Sequence, residues 1–298
     1  VPGRVARLLD ALERHGCAAA LLVGPHHAAH LAGYSRLYSG PVALLIGADG
    51  DSTLLTPRYE VDAAVAHARV GAVEGYGEDG FGLDLRATHK LAEACAALLP
   101  AGRVAVASEV PGVAESVLRI SGRDWLDFAP TIDSLRLIKD ADECELIARA
   151  YELSLAGQSA VAQAAQPDAR EIDLYTAAFA RAQTEAGAPI EFGGDLLVGE
   201  RSALVCGPVA VPGEHRATHG DVVVADISVG HRGYWGDTAR TFVVGHNSDA
   251  ERAREFITGL LEAAAAGMRP TVAACDVFAT MRDAIVDRYP DGSFPHHG

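Results

Sequence analysis

VVVADISVGHRGYWGDTARTFVVG, residues 222–245, is the stretch on which the reading of this chain turns. Two runs rich in valine and other β-formers flank a turn that holds Gly230 and Gly233, the pattern of a β-hairpin. A turn centred on His231–Arg232 sets Asp226 directly opposite Asp237. Side chains so opposed stand about 4.5–5.5 Å apart at Cβ, and two carboxylates there repel each other. The pair must share a proton or take a cation between them. An oxygen-rich pair of this kind suits Mn²⁺, Co²⁺ or Zn²⁺. Asp226 also lies in an apolar strand, where an unpaired charge is costly. A hairpin slipped by one residue would instead turn both carboxylates to solvent. Thr238 reads as a structural β-branched residue, and Arg240, at odd spacing, points away from Asp237.

Around the hairpin, residues 193–245 carry strand and turn chemistry. Helical periodicity brackets them, over 138–166 and 171–187 before and over 249–267 and 272–289 after. This predicts an α+β domain from residue 135 to 298. Residues 1–134 have a different texture. A helix over 4–15 stops at Gly16, and short apolar runs at 19–23, 42–47, 52–56 and 103–108 alternate with helical stretches at 58–68 and 86–99. Strands of this length between helices predict a small α/β domain.

Composition narrows the function. The chain has 298 residues, 40 Asp+Glu against 25 Lys+Arg, and a net charge of −15, which argues against nucleic acid as the main partner. No leader and no run of 18 apolar residues is seen, so no membrane span is expected. Five cysteines, Cys17, Cys95, Cys144, Cys206 and Cys275, are widely spaced without a CxxC, which fits neither a disulfide framework nor a zinc finger and points to the cytoplasm. The chain begins at Val1 without Met, so its ends are not expected to be those of the gene product. GYGEDG at 75–80 matches GxGxxG, but its acidic pair would face a pyrophosphate and the following helix starts too late. HHAAH at 26–30 has metal-ligand spacing without the HExxH glutamate and reads as a solvated cluster. No GxSxG elbow or Walker loop is present.

The hairpin, with an Asp eleven residues after an Asp, resembles the metal-binding hairpin of the pita-bread hydrolases, the family of Xaa-Pro aminopeptidases, prolidases and creatinase (peptidase family M24). RLIKDADECELIARA (136–150) is similar to the first helix of that family's catalytic domain, and FPHHG (294–298) to the opening of its HxxGHG segment. The layout of residues 1–134 is similar to the creatinase/prolidase N-terminal domain. The resemblance implies a creatinase/prolidase-like domain over 1–134 and a pita-bread catalytic domain over 135–298, incomplete at its C-terminus as written. It implies two divalent metal ions, Mn²⁺, Co²⁺ or Zn²⁺, with Asp226 and Asp237 as ligands and Asp237 bridging. It implies that His296 assists the tetrahedral intermediate, and that the activity is cleavage of Xaa-Pro bonds by a metal-activated hydroxide, in a cytoplasmic homodimer acting on short peptides or another small substrate. Cys206-Gly207-Pro208 stands where peptidase members carry a substrate-contacting His, for which His215 or His219 could substitute. That departure keeps two alternatives open: a creatinase-like hydrolase of a small amide or guanidino compound, and a catalytically silent binding module.

Overall fold

The computed structural model describes residues 1–36, 40–77, 86–203 and 211–290. In chain order the elements are α1 (Pro2–His15), β1 (Ala19–Val23), α2 (Pro25–Ala32), β2 (Ala43–Gly47), β3 (Ser52–Pro57), α3 (Val61–His67), β4 (Ala72–Tyr76), α4 (Ala87–Leu98), β5 (Val104–Ser108), α5 (Pro111–Ser121), β6 (Trp125–Asp127) and α6 (Ala129–Leu137). There follow α7 (Ala141–Ala164), α8 (Glu171–Ala186), β7 (Glu191–Val198), β8 (Val222–His231), β9 (Tyr234–Val243), α9 (Ser248–Gly267) and α10 (Ala274–Arg288). They divide into two compact units. The first is Val1–Ala150 with Pro189–Glu191 and Gly230–Trp235; the second is Tyr151–Ala188, Phe192–Val229 and the residues from Gly236 on.

In the first unit six strands form one mixed sheet in the order β4-β3-β2-β1-β5-β6. β1 runs antiparallel to β2 and parallel to β5. All five residues of β1 are buried, which is why AALLV shows no alternation: both of its faces are covered. Ala20 and Leu22 pack on one side with Leu8 and Leu12 of α1, Leu31 of α2, and Phe128 and Ile132 beside and within α6. Ala19, Leu21 and Val23 pack on the other with Leu91 and Cys95 of α4 and Val113 and Val117 of α5. Helices on both faces of a sheet make three layers, within the small α/β domain expected from sequence.

The HHAAH segment departs from its reading. It is α2 rather than a solvated turn, and His27 and His30 are buried while His26 stays exposed. His30 Nδ1 stands 3.2 Å from Glu143 Oε1, which also accepts the Tyr234 hydroxyl at 3.1 Å. Glu143 Oε2 accepts the Asp140 backbone N–H at 2.9 Å, and Asp140 Oδ1 accepts that of Glu143 at 3.0 Å. This reciprocal pair is a capping box that starts α7. Buried Arg4 completes the cluster, donating to the His30 carbonyl at 2.7 Å and to the Tyr234 hydroxyl at 3.0 Å.

Burial pushes the His30 imidazole down to about 4, against the upward pull of the Glu143 charge. Burial pushes the Glu143 carboxyl up, but the Asp140 amide, His30, the Tyr234 hydroxyl and Arg4 outweigh it and hold it below its ordinary value. Both groups are lowered on folding, so in acid the unfolded chain binds more protons. The His30 contribution is complete above the unfolded value of 6.5 and is lost as pH falls toward 4. Between pH 7 and 4 the protein is expected to lose about 3 kcal/mol of stability from this residue. Urea midpoints over that range check it, and His30→Gln should flatten the profile.

In the second unit β7, β8 and β9 form a three-stranded sheet in that order. Val223, Ala225, Ile227 and Val229 alternate inward along β8, joined in the core by Leu153 and Val161 of α7 and by Leu174, Ala178 and Ala182 of α8. α9 and α10 bury no residue.

Candidate metal centre

β8 ends at His231 and β9 begins at Tyr234, so the hairpin turn is Arg232–Gly233. Both residues have positive φ, 52° and 83°, as a two-residue type I′ turn demands. The turn therefore sits one residue later than the sequence reading placed it. Counting back, His231 faces Tyr234, Ser228 faces Asp237, and Ala239 rather than Asp237 faces Asp226. The expectation of directly opposed carboxylates is corrected to a diagonal pair. Moving the turn by one residue shifts the pairing by two, so the two carboxylates keep a common face.

The face is fixed by side-chain chemistry. Ser228 donates its hydroxyl to Asp237 Oδ1 at 3.0 Å, and Ser228 lies two residues along the same strand from Asp226. Asp226 is half-buried and Asp237 exposed, both on the side away from Ala225 and Ile227. Gly194 of β7, at φ 130°, sets its α-carbon against the Asp226 carbonyl oxygen, where any Cβ would collide. Only glycine lets the neighbouring strand pass this close.

The opposite side of the hairpin is pinned to α7. Thr238, 4% exposed, is hydrogen-bonded through its hydroxyl to Ser154, whose own hydroxyl donates to the Ile227 carbonyl at 2.7 Å. Gln158 Nε2 donates to the carbonyls of Ala225 at 3.0 Å and Thr238 at 2.6 Å. Thr238 thus serves the fold, as read from sequence, while its neighbour Asp237 faces the other way. Thr238→Val keeps the shape and strands these buried polar groups. It is expected to cost about 1–3 kcal/mol, seen as a lower denaturant midpoint at unchanged slope.

Behind the sheet, the fully buried Glu171 at the start of α8 accepts the Val198 N–H at 3.0 Å, Arg201 Nε at 2.9 Å and the Gly213 N–H at 2.9 Å. It joins the end of β7 to Arg201 and Gly213. Nothing in the sequence singled this residue out. His215 and His219 are exposed, the His219 ring lying against Gly245. Cys206 and His296 lie outside the described residues.

Asp226 and Asp237 offer hard oxygen donors on one face, one of them already oriented by a hydroxyl, and this donor set fits a divalent cation. Among the described residues no group of three His, Cys, Asp or Glu side chains is close enough to hold a metal. No helix among those residues is long and apolar enough to cross a membrane.

Residues 4–138 match the creatinase/prolidase N-terminal domain, and residues 145–298 match metallopeptidase family M24. An uncharacterized peptidase of Staphylococcus aureus (strain USA300) is 26% identical over 302 residues, covering 98% of this chain and 81% of its own. The prolidase of Pyrococcus horikoshii OT3 superposes with a TM-score of 0.80 at 21% identity, over 99% of this chain and 80% of that one. The Xaa-Pro dipeptidase of Bacillus anthracis superposes with a TM-score of 0.75 at 21% identity, over 99% and 79%. The structural likenesses share the fold, an α/β domain followed by the pita-bread domain. The chain belongs to metallopeptidase family M24, a peptidase fronted by a creatinase/prolidase N-terminal domain.

Proposed function

We propose that the protein is a metal-dependent peptidase that cleaves Xaa-Pro bonds in short peptides. The observation that carries the reading is the diagonal carboxylate pair, Asp226 and Asp237, on one face of a hairpin whose other face is locked to α7. Solved prolidases and Xaa-Pro dipeptidases of the same fold support the substrate class. Asp226 and Asp237 would be among the residues that hold two divalent ions, Mn²⁺, Co²⁺ or Zn²⁺. Such a pair of ions, when bound, supplies a hydroxide nucleophile near neutral pH and polarises the scissile carbonyl. The chain's own part is positional. Ser228 holds the Asp237 carboxylate in one rotamer, and Ser154 and Gln158 fix the strand beneath it. His296 would donate to the developing charge on the substrate. We assign the protein to the cytoplasm as a homodimer; the free Cys17, Cys95, Cys144 and Cys275 suit a reducing compartment.

The test is a substrate panel on the full-length protein with each metal and with chelator. Xaa-Pro dipeptides should be cleaved, with matched dipeptides lacking proline and creatine cleaved far more slowly, and chelation should end the activity. Hydrolysis indifferent to exhaustive chelation would remove the metal role. A preference for creatine or for peptides without proline would replace the substrate class.

A further inference from the structure

The first unit contains a pocket of about 310 Å³ beside the buried His30–Glu143 pair. Arg136 and Lys139, at and just beyond the end of α6, line it together with Tyr234 and Trp235 from the hairpin tip. We propose that this pocket binds a small organic oxyanion, a carboxylate or phosphate carried on a flat ring, with Arg136 and Lys139 on the anionic head and Trp235 against the ring. Every lining residue belongs to the first unit, whereas Asp226 and Asp237 belong to the second.

The charge balance around the pocket motivates this. Acidic side chains outnumber Lys+Arg by 40 to 25, so a cation in this protein ordinarily has an acid to meet. Arg136 and Lys139 make no ion pair or hydrogen bond among the described residues. Glu143 is the one acidic side chain among the described residues lining the pocket, and it is already committed. Its Oε2 takes the Asp140 N–H, and its Oε1 takes the Tyr234 hydroxyl and faces His30. Asp140, the nearest acid in sequence to Lys139, is drawn to Arg4 at 2.7 Å. Two cations therefore line the cavity without an ion pair of their own among the described residues, beside a Glu143 whose oxygens are already engaged.

The aromatic wall fits the other half of the ligand. Trp235 is 44% exposed, an uncovered flat face at the pocket. The Tyr234 hydroxyl is turned inward on Glu143 and Arg4, which leaves its ring as an apolar surface. Ile147 extends the apolar side. A guanidinium presents paired donors that match the two oxygens of a carboxylate or phosphate, and an aromatic face takes a ring by stacking. A cavity of this size is at the small end of ligand pockets, which limits the occupant to about one ring and its head group.

Calorimetric titration of the full-length protein with benzoate, phenyl phosphate and neutral benzamide tests the proposal. Saturable binding of benzoate or phenyl phosphate is expected, with benzamide at least about tenfold weaker. Whichever anion binds more tightly identifies the head group. Arg136→Gln with Lys139→Gln should weaken the anion at least about tenfold, and Trp235→Leu should weaken it further, with circular dichroism unchanged. Lys139→Gln alone, at an exposed position, gives the same reading on a smaller scale. Absence of binding by both anions, equal binding of benzamide, or affinity unaffected by these substitutions would overturn it.

Discussion

Asp237→Asn is expected to remove the metal-dependent stabilisation of the full-length protein and, with it, peptide hydrolysis. The substitution preserves the shape of the side chain and an acceptor for the Ser228 hydroxyl, so the hairpin should fold. What it removes is a carboxylate charge that would help to hold the metal. A ligand bound only by the folded state stabilises it by about 2.7 kcal/mol at a hundredfold excess over Kd. The wild-type melting temperature should rise on adding Mn²⁺, Co²⁺ or Zn²⁺, and most of that rise should vanish in the variant. Activity should fall by more than the roughly ten- to hundredfold that follows loss of an outer hydrogen-bonding partner. A wild-type melting temperature indifferent to metal and chelator would favour a binding module over an enzyme.

Glu171→Ala is expected to be the most damaging substitution to the second unit. It removes a fully buried carboxylate and leaves the Val198 and Gly213 N–H groups and the Arg201 guanidinium without their acceptor. Arg201, 42% exposed, can turn to water, but each buried N–H left without its acceptor costs about 1–3 kcal/mol. The loss should concentrate between β7 and β8. Hydrogen exchange at Val198 and Gly213 should accelerate more than at Ile227, and urea unfolding should shift to lower concentration.

β1, β2 and β5 of the first unit were legible because they are buried almost throughout: β1 was read at 19–23 and is found at Ala19–Val23. The long helices over 141–164 and 171–186 announced themselves through periodicity. The shorter α2, β4, α5, β6 and α6 were not read. β6 is only three residues long, and three histidines in α2 disguise a segment whose burial depends on distant partners. Glu143 lies 113 residues from His30, and Thr238 lies 84 residues from Ser154, so no local pattern reports either pair. At the hairpin, Gly230 and Gly233 are symmetric about 231–232, and that symmetry misplaced the turn. The actual turn needs a positive φ at Arg232, a conformation that side chains with a Cβ adopt infrequently. The shared face of Asp226 and Asp237 survived the error, because moving the turn by one residue shifts the cross-strand pairing by two.

The way the two units share one chain has a consequence for how such a protein is inherited. Pro189–Glu191 and Gly230–Trp235 are counted with the first unit although both neighbouring stretches belong to the second, so the backbone changes unit five times. Neither unit is a contiguous block of sequence, and no single cut in the gene releases either one whole. A crossover at residue 134 would hand Tyr234 to a new host without Arg4, and Glu143 without His30. Exchange of front halves between relatives would succeed only where the incoming segment brings its own buried cation and imidazole at those positions.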